Sequence, residues 1–157
     1  MTHESKHVRN PIIKALSELD AVPVENPACP GTPDVWTLAG WIELKELDSW
    51  PVRETTTVKI PHFTVRQRGW LKRNWFRGGL SFVIIKVGRL EWLLLDGYWA
   101  AENIGKSTRA ELVESAIRHF SNGLDKKELL RCLQDIRTLN AKKWIAEKQQ
   151  QPRIILE

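Results

Sequence analysis

The sequence predicts an α/β fold, a mixed central sheet of about four or five strands flanked by helices, and three observations carry that expectation. Residues 34–38 (DVWTL) and 41–47 (WIELKEL) alternate apolar and polar side chains on either side of Ala39-Gly40, as a hairpin does. Residues 80–87 (LSFVIIKV) and 91–96 (EWLLLD) are nearly continuous apolar runs split by Gly88-Arg89, the pattern of neighbouring buried strands. Segments of helical period lie between and after them.

The first helix is expected to open at Asn10, with Pro11 at its first position, and to run to about Asp20 with Ile12, Ile13, Leu16 and Leu19 at helical spacing. Residues 27–34 (PACPGTPD) are too rich in Pro and Gly for regular structure and lead into the hairpin. Residues 48–63 form an irregular connection with Pro51 and Pro61, in which residues 55–60 can add a short edge strand. Thr64 is placed to cap a second helix reaching about Arg77, whose inward stripe is Gln67, Trp70, Leu71, Asn74 and Trp75. Two more helices are expected beyond the sheet, Thr108 to Phe120 and Asp125 to Leu139, joined at Asn122-Gly123. The division is a core over residues 1–100 and a C-terminal helical extension over 101–157, packed on the same single domain.

Charge and composition narrow the function. Twenty-four Lys and Arg against nineteen Asp and Glu leave +5, attractive to a polyanion. The two cysteines, Cys29 and Cys132, lack C-x-x-C spacing, so zinc is not expected, and they can be reduced or bridged. No stretch reaches the roughly 18 apolar residues of a membrane span and the N-terminus has no apolar leader, so a soluble, cytoplasmic protein is expected.

With Ala39 and Gly40 as the turn, the register pairs Trp36 with Glu43 and Asp34 with Lys45, so all three polar groups share one face while Ile42 and Leu44 take the other. Two carboxylates on that diagonal can close around one hard cation, and Lys45 beside it can serve a water or a developing phosphorane charge. Between Arg53 and Arg77 the basic side chains Arg53, Lys59, Arg66, Arg68, Lys72, Arg73 and Arg77 face a single acid, Glu54, a surface suited to phosphate, with His62 beside it. Trp36 and Trp50 flank the hairpin and can stack on an unpaired base, although Trp36 equally suits packing.

Pro33-Asp34, an eight-residue gap, then Glu43-Leu44-Lys45 on a strand resembles the PD-(D/E)-x-K nuclease signature, and Gly31-Thr32-Pro33-Asp34 resembles the G-x-P-D form of VRR-type nucleases and Holliday-junction resolvases. The resemblance covers roughly residues 4–95 and implies a restriction-endonuclease-like core. It implies that Asp34 and Glu43 ligate Mg2+, with Mn2+ able to substitute, that the Leu44 carbonyl assists, that Lys45 serves the attacking water, and that Gln67 belongs to the centre. A further acid on the first helix is implied, Glu4 or else Glu18, with Glu4 preferred. The implied reaction is metal-dependent endonucleolytic hydrolysis of DNA, selective for branched or junction forms, in replication and recombination. The implied assembly is a homodimer with no membrane or nucleotide cofactor, and a stand-alone member of this size fits a phage or mobile-element protein in the host-cell cytoplasm. The rival is a non-catalytic DNA-binding or assembly protein that keeps the scaffold.

Overall fold

The structure, a computed structural model, describes the backbone over residues 4–150 and the side chains over 6–143 and of Ala146. Its first helix, α1 (Glu4–Ala15), begins nearly two turns before the expected start and runs through Pro11. Pro11 has no N–H for the His7 carbonyl, a cost of about 3 kcal/mol in a helix interior. Burial offsets it: Val8, Ile12 and Ala15 recur at i, i+4 and i+7 and are buried, and a buried Val contributes roughly 2 kcal/mol. A 3-10 turn (Ser17–Leu19) and a left-handed Asp20 then end the segment.

One six-stranded sheet follows, in the order β1 (Val22–Pro23), β2 (Val35–Thr37), β3 (Gly40–Leu47), β4 (Ser81–Val87), β5 (Glu91–Asp96), β6 (Arg118–Phe120). Only β3 and β4 run parallel, and the crossover between them carries α2 (Val65–Phe76). The remaining helices are α3 (Gly97–Asn103), α4 (Arg109–Ser115) and α5 (Lys126–Gln150).

The hairpin turn lies one residue earlier than expected, which shifts each cross-strand partner by two and keeps every side chain on its expected face. Thr37 pairs with Gly40, Trp36 with Trp41 and Val35 with Ile42, so the turn residues are Leu38 and Ala39. Thr37 closes that turn, its hydroxyl donating to the Gly40 carbonyl at 2.8 Å and accepting from the Ala39 amide at 3.1 Å. Gly40 opens β3 instead, because a Cβ there would lie 2.6 Å from the Leu80 carbonyl oxygen.

Three other elements differ from expectation. Residues 55–60 form no strand, only a bridge from Thr57 to Thr108, while Val58 and Ile60 are buried. The segment expected as one helix to Phe120 breaks after Ser115, and Arg118–Phe120 joins the sheet as an edge strand, with Phe120 buried. Residues 97–103, following directly on β5, form α3, capped by Asp96 accepting from the Trp99 amide at 2.8 Å.

The sheet separates two cores. Val35, Ile42, Phe82, Ile84, Trp92 and Leu94 pack with apolar side chains of α1 and α5 on one face. Val83, Ile85, Val87, Leu93 and Leu95 pack on the other with residues of α2, α3, α4 and the 58–63 segment. Alternation along β3 therefore puts Glu43 and Lys45 on the second face, where their neighbours on β4 are Val83 and Ile85. Among the described residues no helix is long and apolar enough to cross a membrane. Cys29 and Cys132 are both free thiols, one exposed and one buried.

Candidate active site

Glu43 is 1% exposed and Lys45 8%, an ionisable pair inside a core of branched aliphatic side chains. A buried charge is costly without partners, so the partners identify the purpose of the pair. Lys45 Nζ lies 2.8 Å from Glu43 Oε1, and it donates to Gln67 Oε1 at 3.1 Å and to the His62 carbonyl at 3.2 Å. Gln67 Nε2 donates to the same Glu43 Oε1 at 2.7 Å. The other carboxylate oxygen of Glu43, Oε2, is buried and accepts no hydrogen bond among the described residues.

Helix capping holds Gln67. The Gln67 amide donates to the Thr64 hydroxyl at 3.2 Å, and Gln67 Oε1 accepts from the Thr64 amide at 3.0 Å, a reciprocal box at the start of α2. His62, left-handed at φ 60, turns the chain so that its carbonyl reaches Lys45. Gly31, at φ 94, abuts the same helix start: a Cβ there would lie 2.7 Å from the Arg66 backbone.

Asp34 enters from the other side. Strand pairing stops at Val35, and the Asp34 carboxylate accepts from the Leu44 amide at 2.8 Å in place of a backbone partner. Continuing the count places Asp34 across from Glu43, so the two carboxylates are closer than the expected register implied. In a strand the N–H and C=O of one residue point to the same side, so the Leu44 carbonyl faces the edge that Asp34 occupies. The residue opposite it would be Pro33, which has no N–H to give.

Burial, and next the negative charge of Asp34, push the Glu43 carboxyl from its ordinary 4.5 up to about 8, against the opposing pull of Lys45. A carboxyl raised this far by burial and by a second carboxylate, with an oxygen that no N–H or O–H donor among the described residues reaches, marks a candidate functional group. Asp34, Glu43 and the Leu44 carbonyl supply hard oxygen donors of the kind Mg2+ or Mn2+ takes. Among the described residues no three His, Cys, Asp or Glu side chains gather as a ligand set, so the donors here are two carboxylates and a main-chain oxygen.

The site opens into a cleft of about 440 Å3 lined by Asp34, Leu44, Lys45, His62, Asp48 and, from α1, Val8 and Arg9. The residues from α1 were not singled out from sequence, because the helix was expected to start after them; the i, i+4 spacing of Val8 and Ile12 is the signal that would have found them. The backbone of Glu4 lies one turn before Val8, and its side chain lies outside the described residues. Glu18 is exposed in the 3-10 turn, ten residues beyond Val8, or about 15 Å at helical rise, and the cleft lining does not include it.

Comparison of the chain with protein-family models, with curated proteins and with solved structures finds no match.

The basic residues divide into two groups. Arg53, Lys59, His62, Arg66 and Arg73 are exposed. Arg68 corrects the expectation of a phosphate contact: its guanidinium donates to the Ala101 carbonyl at 3.1 Å and the Ile104 carbonyl at 2.8 Å and lies 4.2 Å from the Phe63 ring centre. It fastens α2 to the end of α3, where loop carbonyls need a donor. Lys72 is half-buried and paired with Glu102, which also offsets its charge. Trp50, expected near DNA bases, donates its indole N–H to Glu91 at 2.7 Å and carries Arg109 over its ring.

Proposed function

We propose that the protein is a metal-dependent nuclease that hydrolyses DNA phosphodiester bonds at the Asp34, Glu43 and Lys45 centre. The observation that carries this reading is the buried Glu43 carboxyl set against Asp34, with an Oε2 that no N–H or O–H donor among the described residues reaches. A purely structural ion pair has no use for a second carboxylate that raises the pKa of the first. Mg2+ or Mn2+, held by Asp34, Glu43 and the Leu44 carbonyl, would polarise the scissile phosphate and offset the charge that grows on it.

Lys45 Nζ faces three acceptors, a carboxylate, an amide oxygen and a carbonyl, and is held by them as a hydrogen-bond donor. That supports a role in stabilising negative charge on the reacting phosphate over a role in taking a proton from water. Gln67 holds Glu43 by one amide atom and Lys45 by the other, fixing the distance between them. Arg66, Arg73 and His62, exposed near the cleft or along α2, are suited to the flanking phosphates. We take a branched or junction DNA cut by a symmetric homodimer as the substrate and assembly.

The experiment is incubation of the protein with labelled four-way junction, flap, splayed-arm, linear duplex and single-stranded DNA in Mg2+, Mn2+ or EDTA, beside Asp34→Ala and Lys45→Ala. Metal-dependent cleavage lost in both variants is expected, with paired cuts near the branch point of the junction. Binding without cleavage in every metal, with Asp34→Ala indistinguishable from the parent protein, overturns the reading and leaves a DNA-binding scaffold.

A further inference from the structure

β2 covers β3 only as far as Ile42, so from Leu44 to Leu47 the edge of β3 turned away from β4 has no strand beside it among the described residues. The cleft of about 440 Å3 runs along that edge. Val8 and Arg9 of α1 wall it from one face of the sheet, and Pro61 and His62 from the other. Three acidic residues, Asp34, Glu46 and Asp48, line it, so a phosphate can enter only against cations. Lys45 is one of these, but an ammonium has three N–H groups, and Glu43, Gln67 and the His62 carbonyl take all three. Lys45 therefore acts on a phosphate through its charge, and the hydrogen bonds must come from another side chain in the lining. The arginine in that lining is Arg9.

We propose that Arg9 is the phosphate clamp of the candidate centre, its guanidinium holding the two non-bridging oxygens of the phosphodiester that Asp34, Glu43 and the Leu44 carbonyl receive through the metal. The proposal rests on the nuclease reading for which phosphate is held, and deepens it by naming the group that binds the substrate. The Arg9 side chain is 14% exposed, and its Nη1 lies 3.7 Å from Oε1 of Glu25, itself 64% exposed. That separation makes an ion pair and no hydrogen bond. A guanidinium carries five N–H donors in a planar fork, so Arg9 can keep Glu25 and still turn a pair of donors to the cleft. The fork matches two phosphate oxygens at once, where a lysine offers a point charge. If Arg9 served only to tie α1 to the segment after β1 through Glu25, loss of Glu25 would act as loss of Arg9 does. A clamp of this kind reads the charged backbone of a strand and leaves the identity of its bases open.

The probes are the dinucleotide TpT and its uncharged methylphosphonate analogue, titrated into the whole protein in Ca2+, which takes oxygen donors as Mg2+ does, with binding read from NMR shifts. The parent is expected to prefer TpT. Arg9→Ala is expected to lower that preference about tenfold, as the loss of one charge-assisted pair does. Arg9→Lys should recover little of it, and Glu25→Gln should leave it as in the parent. Because the preference compares two ligands on one preparation, a fall in the folded fraction of a variant cancels. No preference in the parent, or one unchanged in Arg9→Ala, overturns the proposal, and so does an equal loss in Glu25→Gln or full recovery in Arg9→Lys. Any of these in a protein that cleaves DNA leaves the nuclease reading standing. An Arg9-dependent preference in a protein that cleaves nothing in any metal upholds the clamp and removes only the nuclease reading.

Discussion

Replacing Glu43 by Gln is expected to stabilise the metal-free protein while abolishing cleavage, and the size of the effect follows from the raised Glu43 carboxyl. A carboxyl whose pKa is higher in the folded state than in the unfolded one favours folding at low pH, and that contribution is lost as pH rises from 4.5 to about 8. At pH 7 ionising the unfolded chain but not the folded one costs the parent protein about 3 kcal/mol relative to a side chain that never titrates, and at pH 5 under about 1 kcal/mol. The substituted side chain keeps an oxygen for Lys45 and Gln67, and its amide nitrogen can donate to Asp34 where Glu43 Oε2 accepts nothing. Thermal unfolding in EDTA should place Glu43→Gln about 6–12 °C above the parent at pH 7, with the gap closing at pH 5. Mg2+ should raise the melting temperature of the parent and not of the variant. A variant no more stable than the parent at pH 7 and pH 5 alike refutes the argument that Glu43 is strained by burial and by Asp34.

Three further outcomes are expected. Asp34→Asn, which keeps an acceptor for the Leu44 amide, should unfold within about 1 kcal/mol of the parent yet lose cleavage by about three orders of magnitude, measured in single-turnover assays. Arg68→Ala should cost about 2–3 kcal/mol in urea unfolding, because the Ala101 and Ile104 carbonyls lose their donor, whereas Arg73→Ala should leave unfolding within about 0.5 kcal/mol and instead reduce the salt dependence of DNA binding by roughly one counterion. Gly31→Ala, strained by its positive φ and by the Arg66 backbone, should destabilise by roughly 2 kcal/mol and lower cleavage, checked by unfolding and activity on one preparation.

The polar constellation was legible because it depends on period, not on detail. Glu43 and Lys45 alternate with Ile42 and Leu44 in any strand, and Asp34 falls beside Glu43 whether the turn is Ala39-Gly40 or Leu38-Ala39. The register itself was not legible. Gly40 looks like a turn residue, and its real constraint, the Leu80 carbonyl, lies forty residues on. Gln67 was readable from helical spacing after Thr64, but its doubled use of Oε1 was not. Ile117 and Phe120 are three apart, which suits a helix face as well as it suits a strand bounded by an extended Ala116, so β6 has no signature of its own. Arg68 resembles its basic neighbours on the helix, and only the carbonyls of Ala101 and Ile104, thirty-odd residues away, distinguish it. Such residues take their roles from tertiary contacts that leave no local pattern.

The reciprocal cap at Thr64 makes the first turn of α2 and the orientation of the centre a single event. Gln67 Oε1 is held at once by the Thr64 amide, which fixes where the helix begins, and by Lys45, which reaches across from the sheet. A helix that frays at its first turn therefore releases the amide that keeps Glu43 and Lys45 in place. Thr64 is exposed and reaches the centre through Gln67, so a substitution there would look like a harmless surface change and act like damage to the centre.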